Sequence, residues 1–371
     1  MHTFRTAEEI VSGSGTIESL GERAAGLGRK VLLVTGRSAM RRTGTADRAL
    51  SLLRAAGIEA AVFDQVEHDP DVSTIEAGRA RCREESCGLV IGLGGGSAMD
   101  AAKAIAGLAK EPGAVAEYHQ GRDIAQRALP IVAVPTTSGT GSEVTKVAVL
   151  SDRSRGIKKS IRADTMWPAV ALVDPELTVS CPPGVTAASG ADALVQAIES
   201  YTSLHATPLT EALSFDAARR LLRWLEVAYR DGTHREAREQ CAYASMMAGM
   251  ALANARLGAV HGIAHPLGAR TGLAHGVACA LLMPHVMRLN RHHVGGKYDR
   301  LSEAAGADIV DRFERMNERL GLAEAQTGLG IQPDDIPDLV AQSMPSGSLK
   351  ANPKKMTEED VATVLKALAG S

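Results

Sequence analysis

Three histidines lie within fifteen residues of one another in the segment GAVHGIAHPLGARTGLAH (258–275), surrounded by glycines and small apolar residues. They are His261, His265 and His275. Imidazole is the commonest metal ligand in proteins, and it carries protons near neutral pH. The segment therefore predicts one half of a metal-assisted active site.

The other half is predicted in the segment GADALVQAIESY (190–201), where Asp192 and Gln196 stand four residues apart. On a helix this spacing places both side chains on one face. A carboxylate, an amide oxygen and the imidazoles of His261 and His275 can bind a divalent metal and leave positions for water or substrate. Each residue also has a structural interpretation. Asp192 suits the positive end of a helix dipole, Gln196 can be an ordinary polar position, and a single histidine is commonly structural.

Two glycine-containing loops predict a nucleotide site. GLGGGSAMDAAK (92–103) follows a strand pattern and opens a helix, where close backbone approach and helix-start amides favour a pyrophosphate. It is not the GxGxxG fingerprint, and a tight structural turn is the alternative. The second loop, PTTSGTGSE (135–143), also follows a strand, and its hydroxyls and glycines suit a ribose or an adenine. Two such loops at one sheet edge favour a nucleotide.

The elements that must position these residues change character along the chain. Residues 1–183 alternate strands rich in valine, isoleucine and leucine with helices, which predicts a parallel sheet covered on both faces. Pro182 and Pro183 form a natural boundary. Beyond them we predict helices over 187–203, 208–230, 235–255, 276–290, 308–320 and 357–369. The fold class is therefore an α/β dinucleotide-binding domain (1–183) followed by an all-α domain (184–371), with a site expected in a cleft between domains.

Composition excludes several classes of function. The 371 residues are 45% hydrophobic and 23% charged with a net charge of −2, so no electrostatic footprint for nucleic acid exists. No apolar run approaches the ~20 residues that span a bilayer, and the N-terminus lacks a signal-peptide core, so we expect a cytoplasmic protein without a membrane partner. The five cysteines are scattered and form no CxxC pair. This argues for reduced thiols and against a thiolate zinc site.

Several motifs occur together in one order: GGGSAMDAAK, PTTSGTGSEVT, VALVDPELT, GADALVQAIESY, VHGIAHPLGARTGLAHGVACALLMPHVM and NPKKMTEED. In these motifs the chain resembles the iron-containing (group III) alcohol dehydrogenase family over nearly its whole length. The resemblance implies a dehydroquinate synthase-like architecture with a Rossmann-like first domain and a helical metal-binding domain. It also implies an NAD(P)-dependent, metal-containing alcohol dehydrogenase or aldehyde reductase. The substrate would be a small alcohol or aldehyde, and the protein a homo-oligomer, a dimer or larger.

The family's metal ligands are an aspartate, a histidine four residues later and two further histidines. By resemblance they fall on Asp192, Gln196, His261 and His275. Gln196 departs from the family's histidine, and because an amide oxygen is a weaker, harder donor, we expect lower metal affinity and leave Fe²⁺ or Zn²⁺ open. His265 corresponds to a family position near nicotinamide and substrate, which makes it a candidate proton relay. His265 and Asp192 are thus the predicted catalytic residues.

Arg270 lies where family members often have an aromatic residue and a proline before the last histidine. A fixed cation there would hold a substrate carboxylate, sulfonate or phosphonate. The alternative is that Arg270 points to solvent or pairs with a surface acid.

The resemblance also implies the residues that bind the dinucleotide. They are Gly36, Arg37, Gly94, Gly95, Gly96, Ser97, Asp100, Lys103, Thr136, Thr137, Ser142 and Lys158 or its neighbour Lys159. NAD-preferring members often carry an acid after the first strand, where this chain has Gly36 with Arg37, Arg41 and Arg42 nearby. Cations without the acid favour the 2′-phosphate of NADP, so we predict NADP, with NAD as the alternative.

Two other functions remain open from the sequence. A non-redox lyase of the dehydroquinate-synthase type needs several basic residues around a substrate phosphate, and residues 184–290 are not rich in them. A metal-free, degenerate nucleotide-binding protein is suggested only by Gln196. Metal analysis with a cofactor titration discriminates between these classes.

Overall fold

The computed structural model describes residues 2–327 and 329–369, which form two compact units. The sheet unit comprises Thr6–Thr137 and Gly141–Ser180. The helical unit comprises the described residues from Cys181 onward, together with residues 2–5 and Ser138–Thr140. None of the described helices is long and apolar enough to cross a membrane.

The sheet unit is built on six parallel strands in the order β1-β8-β5-β4-β2-β3, and β6 and β7 form a separate antiparallel pair. The strands are β1 Glu9–Ser12, β2 Lys30–Gly36, β3 Glu59–Val66, β4 Leu89–Gly94, β5 Ile131–Pro135, β6 Val147–Asp152, β7 Ile157–Arg162 and β8 Val170–Val173. The predicted parallel sheet is thus confirmed.

Helices cover both faces of this sheet. They are α1 Leu20–Ala25, α2 Ala39–Arg42, α3 Thr45–Ala55, α4 Val72–Glu84, α5 Gly96–Leu108 and α6 Val115–His119. Alternate residues of one strand enter different apolar clusters, with Leu32 in one and Val31 and Leu33 in the other. Because both clusters exclude water, the central strands are apolar on both sides, as a parallel sheet requires.

Strand pairing brings the two predicted nucleotide loops to the same edge. Gly94, the last residue of β4, pairs with Pro135, the last residue of β5. The backbone amide of Thr136 also donates a hydrogen bond to the carbonyl of Gly94, at 2.9 Å. The loops that follow these strands therefore start side by side, as the sequence predicts.

The helical unit contains nine α-helices within the described residues: α7 Pro183–Thr202, α8 Pro208–Arg230, α9 Arg235–Ala255, α10 Ala259–Thr271, α11 His275–Asn290, α12 Lys297–Ala305, α13 Ile309–Arg319, α14 Ile336–Ser343 and α15 Glu358–Ala369. All six predicted helices are present within a few residues of their predicted limits. Side chains of the helical unit form one apolar cluster, to which α7 contributes buried residues along most of its length.

Candidate metal centre and dinucleotide loops

Helix α7 presents Asp192 and Gln196 on one face, one turn apart, and both side chains are buried. The amide nitrogen Nε2 of Gln196 donates a hydrogen bond to Oδ2 of Asp192 at 2.9 Å. This bond fixes the carboxylate and leaves its other oxygen, Oδ1, for a different partner.

His261 lies in the first turn of α10, where an acid from α7 determines its orientation. Nδ1 of His261 is 2.6 Å from Oε2 of Glu199, and Oε1 of Glu199 accepts from the backbone amide of Val260 at 2.6 Å. All these side-chain atoms belong to buried residues. Because Glu199 accepts at Nδ1, Nε2 is the imidazole nitrogen that remains for a ligand.

Four donor atoms converge at the start of α11. One atom each of Asp192, His261, His275 and Cys279 lies within 4.8 Å of every other. Nε2 of His261 is 3.3 Å and Nε2 of His275 is 3.7 Å from Oδ1 of Asp192, and Sγ of Cys279 is 3.6 Å from Nε2 of His275. The side chain of His275 is 23% exposed, whereas those of Asp192 and His261 are 5% and 4% exposed, so solvent reaches the cluster on the His275 side.

Unsatisfied polar atoms show that this cluster suits a cation. Oδ1 of Asp192, Oε1 of Gln196 and Nε2 of His261 are buried without a hydrogen-bond partner among the described residues. Oδ1 and Nε2 are close, but they are not aligned as a hydrogen bond. A buried polar atom without a partner costs about 1–3 kcal/mol, and a metal ion in the cluster would satisfy Oδ1 of Asp192 and Nε2 of His261 together. The residues present therefore fit a divalent metal.

The ionisable groups of the cluster shift one another's pKa. Burial raises the pKa of Asp192, but His275 and His261 outweigh it and the net pKa is lowered. Burial also raises the pKa of the Cys279 thiol, and the same two imidazoles lower it overall. Burial lowers the pKa of both histidines, but the neighbouring Cys279 and Asp192 raise it overall. The imidazoles therefore favour the ionised forms of the carboxylate and the thiol, and these two groups favour the protonated forms of the imidazoles.

The other two predicted residues of this region have different surroundings. The ring of His265 stacks on that of His275, with centroids 4.9 Å apart and an interplanar angle of 18°. This places His265 next to a predicted metal ligand. The guanidinium of Arg270 is 56% exposed and forms an ion pair with Asp335. The structure thus shows Arg270 paired with an acid, which was the alternative to a substrate contact.

In the sheet unit, the Gly94–Ser97 turn has the backbone of an anion-binding loop. Gly94 has φ +153°, and a Cβ there would lie 2.8 Å from Cβ of Ala98. Gly95 is the N-cap of α5 and offers no side-chain cap, so the first amides of the helix face outward for a ligand. Oγ of Ser97 accepts from the amide of Asp69 at 3.3 Å.

Three of the predicted dinucleotide contacts, Asp100, Lys103 and Ser142, are bonded within the protein. The carboxylate of Asp100 accepts from Oγ of Ser142 at 2.5 Å and from the amide of Val149 at 3.0 Å. Lys103 is fully buried, and its Nζ donates to the carbonyl of Ser142 at 2.9 Å and to Oγ1 of Thr145 at 3.1 Å. These residues hold the second loop to α5, and Lys103 is inaccessible to a cofactor from solvent.

The remaining predicted contacts lie at strand ends of the sheet unit. Gly36 ends β2, and the exposed guanidinium of Arg37 donates to the carbonyl of Gln65 at 3.3 Å. Thr136 is buried and Thr137 half-buried after β5, where a Cβ on Gly95 would meet Oγ1 of Thr137. Lys158 on β7 pairs with Asp69 at 2.7 Å. Arg41 forms an ion pair with Asp64, while Arg42 and Lys159 are exposed.

Reasoning from the sequence missed one residue of the metal cluster, Cys279, and one that supports it, Glu199. The scattered cysteines were interpreted as evidence against a thiolate site, yet the structure places Cys279 among the donor atoms. Cys279 follows His275 by four residues, which is the same helical spacing that identified Asp192 and Gln196. Glu199 had a comparable signal, since it lies seven residues after Asp192 on α7.

The chain thus combines a parallel sheet, which has glycine loops at its carboxyl edge, with a helical unit that holds a buried carboxylate–imidazole cluster. Residues 7–175 match the model of the family described as iron-containing alcohol dehydrogenase. Residues 186–369 match the C-terminal model of the Fe-containing alcohol dehydrogenase family. The chain therefore belongs to the iron-containing alcohol dehydrogenase family, as its motifs predicted.

Several relatives are similar over their whole length. The NAD-dependent methanol dehydrogenase of Bacillus methanolicus is 34% identical, with 99% of each chain covered. The crystal structure of a 1,3-propanediol oxidoreductase has a TM-score of 0.95 at 36% identity, covering 99% of this chain and 100% of that one. Sulfoacetaldehyde reductase from Bifidobacterium kashiwanohense, solved with NAD⁺, has a TM-score of 0.92 at 32% identity, covering 100% and 99%.

Proposed function

We propose that this protein is an NAD(P)-dependent, divalent-metal-assisted dehydrogenase that interconverts a small alcohol and its aldehyde. The observation that carries the proposal is the convergence of Asp192, His261 and His275 on one point, with two of their donor atoms buried and without partners. Membership of the iron-containing alcohol dehydrogenase family supports the reaction class. Relatives named as dehydrogenases of methanol and of 1,3-propanediol support a short-chain substrate.

The metal would be held by Asp192, His261 and His275, with the buried amide oxygen of Gln196 as the fourth predicted donor. When bound, it would supply Lewis acidity at the substrate oxygen, while the nicotinamide would supply or accept the hydride. Asp192 carries a single negative charge, so the ligand set predicted from sequence leaves a net positive site suited to an alkoxide.

The protein's own residues orient these groups and handle the proton. Glu199 accepts from Nδ1 of His261 and so keeps Nε2 directed at the metal position. Gln196 holds Oδ2 of Asp192 and leaves Oδ1 for the metal. His265 stacks on His275, at the side where the cluster meets solvent, and there its imidazole can relay the proton of the alcohol.

For the cofactor, we propose that the Gly94–Ser97 turn binds the pyrophosphate and that the loop from Thr136 to Ser142 contacts the nucleoside. A preference for NADP over NAD remains a prediction. Arg42 is exposed where a 2′-phosphate would add charge, but Arg37 already pairs with Glu67 at 3.9 Å and Arg41 pairs with Asp64. The Bacillus methanolicus relative is named as NAD-dependent, so titrations must include both dinucleotides.

An anionic substrate tail is a narrower proposal that depends on Arg270. The similarity to sulfoacetaldehyde reductase, at 32% identity, favours it. For Arg270 to bind a sulfonate or carboxylate, the anion must displace Asp335 from the guanidinium. Replacement by Arg270→Ala should then raise KM for sulfoacetaldehyde and leave KM for propanal unchanged. Equal effects on both substrates would exclude the anionic tail.

The proposal is tested by oxidation of NADH and NADPH with a panel of short aldehydes, before and after chelation. We expect activity to fall on chelation and return with Fe²⁺ or Zn²⁺, and His261→Ala to abolish it. His285→Ala is the matched control, because His285 is a half-buried histidine of α11 outside the donor cluster. Activity that survives both chelation and His261→Ala would refute the metal's role. Binding of NADPH without metal or reduction would assign the protein to the degenerate binding class.

We also expect a homo-oligomer. Sedimentation equilibrium at several concentrations measures the assembly directly, and a mass equal to one chain of 38.8 kDa would contradict this expectation.

A further inference from the structure

Cys279 occupies a position in the metal cluster that neither the family ligands nor the sequence motifs assign. It lies one turn after His275 on α11, and both side chains face α7. Sγ is fully buried, 3.6 Å from Nε2 of His275, and within 4.8 Å of the donor atoms of Asp192 and His261. A tetrahedral ion with bonds of about 2.0–2.3 Å separates its ligand atoms by roughly 3.3–3.8 Å. The closest donor separations in this cluster lie in that range.

The position of Gln196 leaves room for a different fourth donor. Its amide nitrogen is committed to Oδ2 of Asp192, so the side chain acts on the carboxylate next to it. An amide oxygen is a weak ligand even where it reaches a metal. Without Cys279, the metal would therefore have three strong protein ligands, Asp192, His261 and His275, and at most the weak amide oxygen of Gln196 as a fourth.

We propose that Cys279 is a protein ligand of the metal and that the resulting Asp192–His261–His275–Cys279 site favours zinc over iron. The inference rests on the metal-binding part of the proposed function and specifies its donor set. Thiolate is a soft ligand that strengthens the preference for zinc over iron, and carboxylate–imidazole sites have a weaker preference. Gln196 then acts as a positioning residue for Asp192.

Coordination changes the charge of the site. The Cys279 thiol loses its proton to solvent when the metal–sulfur bond forms, so the bound ligand is a thiolate. With Asp192 and Cys279 each contributing one negative charge, a divalent ion at this point is neutralised, and the substrate oxygen of the proposed reaction would join it as a fifth ligand. The alternative is that Cys279 is a buried thiol whose only role is its hydrogen bond with His275.

Cobalt replacement separates these two roles. Co²⁺ bound by a thiolate has an intense sulfur-to-metal absorption in the near ultraviolet, and Co²⁺ bound by nitrogen and oxygen lacks it. We expect the band in the wild-type protein and its loss in Cys279→Ala and Cys279→Ser. Cys241→Ala is the matched control, because Cys241 is an equally buried thiol of the helical unit, on α9 and outside the donor cluster. It should retain the full band.

Affinity provides a second measurement. We expect Cys279→Ser to weaken Zn²⁺ binding by more than about 100-fold, beyond the 10- to 100-fold cost of losing a residue that only supports a ligand. The same change should weaken Fe²⁺ binding much less, so the preference for zinc over iron narrows. A uniform loss for both metals, below 100-fold, would assign Cys279 a positioning role and overturn the proposal.

X-ray absorption of the wild-type zinc protein needs no variant and so stands even if the Cys279 variants fail to fold. One sulfur scatterer at about 2.3 Å from zinc is expected. A shell of nitrogen and oxygen only, in a protein that still reduces aldehydes with bound metal, overturns the Cys279 ligand and leaves the proposed function intact. A zinc–sulfur bond in a protein whose aldehyde reduction does not depend on the metal would support the Cys279 ligand and overturn the proposed function.

Discussion

The orientation of His261 depends on a single carboxylate that does not itself belong to the donor cluster. Oε2 of Glu199 lies 2.6 Å from Nδ1 of His261, and Oε1 accepts from the amide of Val260. One acid thus fixes both the ring and the backbone of the same helix start. A carboxylate partner also raises the basicity of the opposite nitrogen, which strengthens a metal bond there.

Replacement of Glu199 by glutamine should therefore weaken metal binding without removing a ligand. We expect Glu199→Gln to lower affinity for Zn²⁺ by roughly 10- to 100-fold, as measured by competition with a chelating dye. Glu226→Gln is the control, since Glu226 is also a buried acid of the helical unit but pairs with Arg312 and Arg319. Equal affinities for the Glu199→Gln and wild-type proteins would show that His261 needs no such partner.

The sequence predicted the donor residues better than it predicted their supports. Asp192, His261 and His275 were identified by residue type and spacing, and their donor atoms converge. Gln196 was predicted as a ligand, but its amide nitrogen bonds Asp192, which only side-chain geometry reveals. Cys279 was missed because cysteine pairs were sought along the sequence, whereas the cluster mixes cysteine with histidine and aspartate from different helices.

At the level of elements, the cluster depends on how closely α11 approaches α7. Gly276 lies directly after His275, and a Cβ at this position would be 2.0 Å from the backbone oxygen of Ala188. Glycine is thus required for contact between the two helices, because a backbone atom cannot move aside as a side-chain tip can. The same contact sets the separation of Asp192 and His275.

The substitution Gly276→Ala should push these helices apart and so lose both stability and metal. Overpacking lowers the free energy of unfolding by about 1–3 kcal/mol, which corresponds to a fall in Tm of roughly 2–12 °C. We expect metal content after purification to fall in parallel, by elemental analysis. Gly184→Ala is the control, since Gly184 lies on α7 with open space around its Cβ position, and it should change stability by less than about 1 kcal/mol. A fully metal-loaded Gly276→Ala protein would contradict this account.

The turn between β4 and α5, in the sheet unit, also requires glycine at one position. Gly94 combines φ +153° with a Cβ position 2.8 Å from Cβ of Ala98, so a side chain there strains the turn in two ways. We expect Gly94→Ala to weaken NADH and NADPH binding by about tenfold or more, since strain of about 1–3 kcal/mol must be relieved by moving the loop. Fluorescence titration measures this directly.

Two comparisons make that result specific. Gly88→Ala, just before β4, has open space at its Cβ position and should leave dinucleotide affinity unchanged. Metal content should also be normal in Gly94→Ala, because the donor residues lie in the other unit. If Gly94→Ala binds both dinucleotides as tightly as the wild type, the turn is structural and the cofactor binds elsewhere.

Helices with a regular repeat of hydrophobic residues were predicted well, whereas elements without such a repeat were not. The helices α8 and α9 have the limits expected from hydrophobic periodicity. Helix α10 was absent from the predicted helices, because Gly262, Pro266 and Gly268 suggest a loop. The pair β6 and β7 was not predicted either, since it lies outside the parallel sheet and β7, with the sequence IKKSIR, is largely polar.

Over the whole molecule, folding buries ionisable groups outside the metal cluster, and this links stability to pH. Glu143 is 2% exposed, and burial raises the pKa of its carboxyl from 4.5 to about 7, although Lys103 opposes the shift. Burial likewise lowers the pKa of Lys103, while Asp100 raises it in part. Glu143 ends the second glycine loop and Lys103 bonds to the preceding residue, Ser142, so the sheet unit carries this titration.

The sign of the Glu143 contribution follows from proton binding. Between pH 4.5 and 7 the folded protein holds a proton on Glu143 that the unfolded chain has released. Stability therefore falls as pH rises through this window, and it changes no further above the folded pKa. A shift of this size corresponds to about 3 kcal/mol across the window.

Glu143→Gln removes this titration and should flatten the pH dependence. Relative to the wild type, we expect it to gain up to about 3 kcal/mol of unfolding free energy on going from pH 4 to pH 8, in denaturant titrations at each pH. Asp71→Asn provides a comparison of opposite sign. Burial raises the pKa of Asp71, but hydrogen bonds from Ser73 and Arg153 lower it overall, so its stabilising effect is lost as pH falls. Parallel pH curves for the wild type and Glu143→Gln would mean that Glu143 is ionised in the folded protein near its ordinary pKa, and that the loop above it admits water.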